Sequence, residues 1–227
     1  MCDIQRNLSP EQVLDTLKQG HERFLTGHRL TRDLGRQVNA TADGQHPLAV
    51  ILSCVDSRSP AELIFDVGVG DIFNVRIAGN VTSRKVLGSL EYCCAVAGAK
   101  LILVMGHTRC GAVTAAVEHC CSDHSAAGED GGHIGHVLHD ILESFDPPKG
   151  RNLDSLSPDD RRSFIDDVSR RNVERVVRSI TDESGTLAAL AGNGRIAIVG
   201  AIYDVSTGGL EFLPASGRSR TMDLNPV

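Results

Sequence analysis

The sequence has no tryptophan, only two tyrosines and six phenylalanines in 227 residues. That leaves few platforms on which bases could stack. It also lacks any cluster of lysine and arginine and carries a formal net charge of -6, so no phosphate-neutralising face exists and nucleic acid is not expected as a partner. No apolar run approaches the roughly 18 residues of a membrane span. Met1-Cys2-Asp3-Ile4-Gln5-Arg6-Asn7 shows no basic-then-apolar leader pattern, so the expectation is a cytoplasmic protein without membrane contact. Gly68-Val69-Gly70 lacks the Gly-Lys-Ser/Thr ending of a phosphate loop. Seven cysteines, an odd number with adjacent pairs at Cys93-Cys94 and Cys120-Cys121, do not make the framework of a small secreted disulfide protein. Reduced thiols and metal ligation are the roles that remain.

What the chain does have is alternation. Short apolar runs at 48–54, 71–77, 100–106 and 195–202 are interleaved with helical patterns at 60–66, 83–97 and 110–119. This predicts an α/β fold: a mainly parallel four-stranded sheet covered by helices on both faces. Leu210-Glu211-Phe212-Leu213, after the turn residues Thr207-Gly208-Gly209, predicts an added edge strand. Further helices are expected over His133 to Phe145 and from Ser157-Pro158-Asp159-Asp160 onward, the latter burying Val173, Val176, Val177 and Ile180. Cys121 to Gly132 and Asp146 to Leu156 read as loops, and the tail after Pro214 as poorly ordered or lying on a neighbour. Ser9-Pro10-Glu11-Gln12 opens a first helix with the capping-box spacing. Its stripe of Val13, Leu14, Leu17, Phe24 and Leu25 is separated from the sheet by the polar stretch Thr26 to Gln45, so it is expected to form an arm packed on a partner subunit. The chain is expected to divide into this N-terminal helical arm, 1–35, and an α/β region, 36–227, within one domain.

Chemistry is carried by two strand ends. Cys54-Val55-Asp56-Ser57-Arg58 follows the first apolar run, and Gly106-His107-Thr108-Arg109-Cys110-Gly111 follows the third. Ligands bind at the carboxyl edge of open α/β sheets, so Cys54, His107 and Cys110 are placed to share one ion. Three nitrogen and sulfur ligands with a fourth position for water or substrate is the layout of a catalytic rather than a structural zinc. Asp56 and Arg58 sit where an ion pair can form within one turn, leaving the carboxylate to accept from a metal-bound water or to become a fourth ligand. An ordinary ion pair that fixes the loop is the alternative.

With Gly70-Asp71-Ile72-Phe73-Asn74-Val75-Arg76, Gly79-Asn80, Ser89-Leu90-Glu91-Tyr92 and Tyr203-Asp204 added, the sequence from about Gln45 to Phe212 resembles the β-class carbonic anhydrases. The resemblance implies Zn2+ on Cys54, His107 and Cys110, an Asp56/Arg58 dyad, and reversible hydration of carbon dioxide to bicarbonate by attack of zinc-bound hydroxide. It implies that Gln45 hydrogen-bonds substrate or zinc-bound solvent, and that Phe73, Ala78 and Tyr92 build a small apolar pocket across a dimer interface. A homodimer or homotetramer is therefore expected. Ala78 is smaller than the valine expected there, which widens the pocket. Ile51 stands where the bicarbonate-regulated subclass has tryptophan, so the plant-like subclass fits better.

Other functions keep parts of this reading: the same zinc site acting on carbon disulfide or carbonyl sulfide, a non-catalytic zinc-binding scaffold, or a Cys nucleophile activated by His107. His119, Cys120, Cys121 and His124 are a weaker second metal cluster. His133, His136 and His139 step by three around a helix and cannot converge on one ion. Cys93 and Cys94 fall in a helix, with at least one expected in the core.

Two thiolates donate more charge to zinc than neutral imidazoles do, so the bound water should be a weaker acid than the value of about 7 reached with three histidines. Carbon dioxide hydration is expected to rise through mildly alkaline pH. A stopped-flow profile that stays flat between about pH 6 and 9 would contradict this electrostatic argument.

Overall fold

Each of the four main apolar runs forms a parallel strand: β1 (Ala49–Ser53), β2 (Ile72–Arg76), β3 (Leu101–His107) and β4 (Ala197–Tyr203). β5 (Leu210–Phe212) pairs antiparallel with β4, giving the order β2-β1-β3-β4-β5. The structure, a computed structural model, describes residues 7–121, 132–145 and 153–214. The helices are α1 (Pro10–Thr26), α2 (Leu34–Thr41), α3 (Ala61–Ile64), α4 (Arg84–Glu91), α5 (Gly111–Cys121), α6 (Ile134–Leu142), α7 (Pro158–Glu183) and α8 (Gly185–Gly192). The second-cluster residue His124, most of the two expected loops and nearly all of the tail lie outside the described residues.

β1 and β3 are buried at every position, as strands covered on both faces must be. Val50, Leu52, Ile102 and Val104 face a layer containing Leu90 of α4, Val173, Val176 and Ile180 of α7, and Leu187 of α8. Ala49, Ile51, Leu101, Leu103 and Met105 face the opposite layer, where they meet Val13, Leu14 and Leu17 of α1 with Ile64 and Phe65.

This last contact corrects the expectation for the first helix. Val13, Leu14 and Leu17 of its stripe are buried on its own sheet and Phe24 partly so, while Leu25 is left exposed. The polar stretch after it is a return path: α1 ends in left-handed Gly27, and the chain folds back beside the sheet. Close approach is possible because Gly20 lies against the end of α3, where a Cβ would stand 1.9 Å from the Phe65 carbonyl oxygen. The capping box at Ser9 forms as read, Ser9 Oγ accepting from the Gln12 N–H and Gln12 Oε1 from the Ser9 N–H.

Two helices were not foreseen. α2 buries no residue and is tied down through Gln37, whose Oε1 accepts from the Val69 N–H at 3.1 Å. α8 is apolar almost all round and so lacks an amphipathic signature. The helix read over 83–97 is α4 followed by a π turn, Tyr92–Val96. The widened turn buries both Cys93 and Cys94, and burial pushes their thiols up to about 11 and about 12.

A buried carboxylate fastens α1 and the segment after it. The Asp66 side chain is 1% exposed, and accepts from Arg23 Nε at 2.6 Å, Arg32 Nη1 at 2.5 Å and the Leu30 N–H at 3.2 Å. Burial alone would raise its pKa, but the hydrogen bonds from Arg23 and Arg32 outweigh that and hold it at about 2, against 3.8 in the unfolded chain. Because the folded value is depressed, this stabilisation is present above 3.8 and is lost as pH falls towards about 2. Asp66→Asn should therefore destabilise the protein by about 3 kcal/mol at neutral pH. Urea denaturation should also show a shallower loss of stability for the variant between pH 4 and 2 than for wild type; parallel pH curves would contradict the assignment.

Candidate metal centre

Ser53 of β1 is level with Met105 of β3 in the parallel register. The chain leaves both strands at the same sheet edge, Cys54 from one and His107 from the other. Beyond β3 the backbone turns through Arg109, which is left-handed at φ 56°, and Cys110 is set down immediately before α5. The Cys54, His107 and Cys110 ligand atoms all lie within 4.8 Å of one another, with the two Sγ atoms 4.0 Å apart. All three residues are buried.

Thr108 sets the imidazole. Its N–H donates to the Tyr203 carbonyl at 2.9 Å, its Oγ1 donates to Asp204 at 3.3 Å, and its own carbonyl lies 3.0 Å from His107 Nδ1. A carbonyl can only accept, so Nδ1 carries the proton in that bond, leaving Nε2 as the lone-pair nitrogen. Nε2 is buried and has no hydrogen-bond partner, which a metal ion would remedy.

The thiols point the same way. Hydrogen bonding from Cys110 leads in lowering the Cys54 pKa to about 4, against burial and with help from His107 and the backbone N–H groups of Asp56 and Gly79. Once Cys54 is ionised, its hydrogen bond and charge, together with burial, drive Cys110 upward. The pair thus yields one thiolate readily and opposes the second, which a divalent cation would stabilise. Burial opposes a charge on His107, but the Cys54 thiolate outweighs it and raises the imidazole pKa. Two sulfurs and a free imidazole nitrogen in a buried space fit zinc.

Asp56 and Arg58 form a two-pronged pair, Nε to Oδ1 at 2.9 Å and Nη2 to Oδ2 at 2.8 Å. The Arg58 hydrogen bond leads in holding Asp56 at about 2. Asp56 Oδ2 is 3.9 Å from His107 Nε2, so the carboxylate borders the cluster while engaged with arginine. Arg58 Nη2 also donates to the Arg109 carbonyl at 3.2 Å, and Arg76 Nε to the Cys54 carbonyl at 3.0 Å. Arg76 was legible only as part of a motif; its hold on the Cys54 peptide had no separate signal.

The remaining sequence-derived residues divide. Ala78 opens a 3-10 turn, Ala78–Asn80, whose Gly79 N–H meets the Cys54 sulfur. Phe73 and Tyr92 form an edge-on aromatic pair, ring centres 6.3 Å apart, with Tyr92 53% exposed. Phe73 is level with Val50, four residues before Cys54, or about 13 Å along the strand. Gln45 is exposed ahead of β1, at the opposite sheet edge from Cys54. Within one chain the structure does not bring Gln45, Phe73 and Tyr92 to the cluster. Among the described residues no second group of three metal-ligating side chains forms, so His119, Cys120 and Cys121 do not gather one. His133, His136 and His139 are exposed, as expected.

The fold and the cluster define an α/β protein with a Cys-His-Cys group able to hold a metal at the carboxyl edge of its sheet. The carbonic anhydrase family model matches residues 49–210. Carbonic anhydrase 2 of Mycobacterium tuberculosis is 37% identical over 204 residues, covering 89% of this chain and 92% of that protein. Among solved structures, the β-carbonic anhydrase CafA of Aspergillus fumigatus superposes with a TM-score of 0.67 at 26% identity, covering 92% of each chain. A structure from a study of two tetrameric β-carbonic anhydrases of Sordaria macrospora superposes with a TM-score of 0.65 at 22% identity, covering 79% of this chain and 90% of that one. The chain belongs to the β-class carbonic anhydrase family.

A cation held by Cys54, His107 and Cys110 would keep only two protein donors after replacement of any one of them. Cys54→Ser, His107→Ala and Cys110→Ser should each weaken zinc binding by more than the roughly 10–100-fold typical of outer-shell changes. Metal analysis after dialysis against a chelator checks this; a variant that keeps wild-type zinc content removes that residue from the ligand set.

Proposed function

We propose that this chain catalyses the reversible hydration of carbon dioxide to bicarbonate and a proton, with zinc held by Cys54, His107 and Cys110. The observation that carries the reading is the buried Cys-His-Cys cluster with a free imidazole nitrogen, bordered by a carboxylate fixed on an arginine. Zinc bound there supplies the Lewis acidity that makes water nucleophilic near neutral pH.

The chain's own residues do the rest. Asp56, held at about 2, is ionised across the physiological range and acts only as an acceptor. It takes the hydrogen bond of the attacking water and so turns a lone pair towards carbon. Arg58 keeps the carboxylate in that orientation and off the cluster. Carbon dioxide is apolar and offers no charge to grip, so its site must be small and dry. That Ala78 is the neighbour of Gly79, whose N–H meets the Cys54 sulfur, supports a place for it in that site.

Phe73, Tyr92 and Gln45 lie away from their own cluster, and they serve the reaction only if they face the cluster of a second copy. That placement supports a homodimer or homotetramer in which apolar rings from one chain close the pocket of the other and Gln45 donates to the bicarbonate oxygen. Ile51 at the usual tryptophan position supports the plant-like subclass. No described helix is long and apolar enough to cross a membrane. The unpaired cysteines among the described residues support a reducing, cytoplasmic setting.

Stopped-flow hydration of carbon dioxide by protein of known zinc content tests the reading directly. Fast hydration proportional to zinc is expected, and zinc-loaded protein without hydration would overturn it. Asp56→Asn should keep its zinc and lose about 100-fold in kcat. Wild-type turnover in that variant would remove Asp56 from the mechanism.

A further inference from the structure

The three ligands come from two separate turns, one after β1 and one after β3, and a metal centre requires those turns to be held in fixed relation. α7, which lies outside every motif in the sequence, reaches the second of these turns directly and the first only through the Ala78–Asn80 turn after β2, whose Gly79 N–H meets the Cys54 sulfur. Val173 of α7 rests directly near the end of β3, at Gly106, and on the middle of β4, at Gly200. A Cβ on Gly106, the residue before His107, would stand 2.5 Å from Val173 Cγ2, and one on Gly200 would stand 2.9 Å from Val173 Cγ1. The helix is therefore seated on the sheet more closely than a side chain at either glycine would permit, one of the two being next to His107.

From that seat α7 makes two polar contacts. Asp166 Oδ1 accepts from the Arg109 N–H at 2.7 Å. Arg109 lies between His107 and Cys110 and is a non-glycine residue in the left-handed region, a conformation that needs holding. Asn172, 1% exposed, donates from Nδ2 to the Gly79 carbonyl at 2.7 Å. Gly79 is itself left-handed, at φ 67°, and its N–H is one of the groups that meet the Cys54 sulfur. Asn172 Oδ1, by contrast, is buried and has no hydrogen-bond partner. A residue serving only packing would pay that desolvation for nothing, whereas one required for its donor tolerates it.

We propose that Asp166 and Asn172 on α7 are positioning residues of the metal centre, the first fixing the His107–Cys110 turn and the second the Gly79 turn against Cys54. The proposal rests on the reading of Cys54, His107 and Cys110 as ligands. Neither side chain touches the reacting atoms. Their effect is on how long the ligand set stays assembled around the metal and on its geometry.

The test uses the zinc-loaded full chain and follows first-order zinc release to excess chelator. Asp166→Ala and Asn172→Leu should each release zinc at least about tenfold faster than wild type, the scale of an outer-shell loss. Asp166→Asn keeps an acceptor oxygen for the Arg109 N–H and should release at the wild-type rate. The visible bands of cobalt-substituted protein should shift in the first two variants and not in the third, a signature that a loss of packing alone would not give. Release from Asp166→Ala and Asn172→Leu within about twofold of wild type would overturn the proposal, and so would an Asp166→Asn rate matching that of Asp166→Ala. Asp166 is on the rim of the fold, so its variants keep the proposal falsifiable if Asn172→Leu does not fold. Wild-type protein that takes up no zinc would overturn the ligand reading, and the proposal with it. Wild-type and variant proteins that hold zinc equally long would overturn the proposal alone.

Discussion

The register of β1 on β3 is the constraint from which the rest of the site follows. The two strands run parallel with Ser53 level with Met105, so the chain leaves both at one edge within a side chain's reach. From β1 the sheet grows to β2 in one direction, and from β3 to β4 in the other. The gap between β1 and β3 is therefore the place where the strand order reverses, and the connections leave in opposite directions and open a crevice. Cys54 and His107 stand at that crevice because the first directly follows β1 and the second is the last residue of β3. A slip of one residue between them would exchange one strand's side chains between the two differently shaped layers built on Val50, Leu52, Ile102 and Val104 and on Ala49, Ile51, Leu101 and Leu103, and would carry Cys54 out of line with His107. The hydrophobic pattern that folds the sheet is thus also what aligns the ligands.

Electrostatics at this edge are arranged in opposition. Two thiols and a carboxylate within a few ångströms would repel one another if all were ionised in a metal-free protein. The chain meets this locally: Arg58 holds Asp56, Arg76 holds the peptide of Cys54, and backbone N–H groups lean on both sulfurs. What stays unbalanced is the second thiolate, and the lone pair of His107 Nε2 points into the same space. The cluster could hold a cation, since its own side chains supply only part of the neutralisation.

Legibility in the sequence followed burial. β1 and β3 announced themselves as unbroken apolar runs, and their carboxyl ends located the ligands. α7 was legible from its Ser157 cap and its spaced valines. α2 was not, because it buries nothing and is held by a side-chain amide rather than by packing. α8 was missed because a helix apolar on all sides has no period to detect. The first helix was read correctly as an element and wrongly as to its neighbour: its stripe says that something must cover it but not what. Gln45, Phe73 and Tyr92 were assigned by resemblance, with the two rings expected across a dimer interface, and a single chain leaves all three away from its own Cys54. Arg76, Asp166 and Asn172 act on backbone groups far away in sequence, and contacts of that kind leave no local pattern.

Asp66 has a bearing on how separable the parts of this chain are. Its carboxylate is buried at the end of α3, inside the catalytic unit, but the arginines and the N–H that neutralise it come from residues 23 to 32. The leading segment and the sheet are thus two halves of one charge pair. A chimera that kept the catalytic unit and exchanged the leader for another protein's would strand an ionised group in an apolar setting unless the new leader brought its own guanidinium groups to the same place. The N-terminal region is in this sense not a module but an inherited counter-ion, and it can only change together with Asp66.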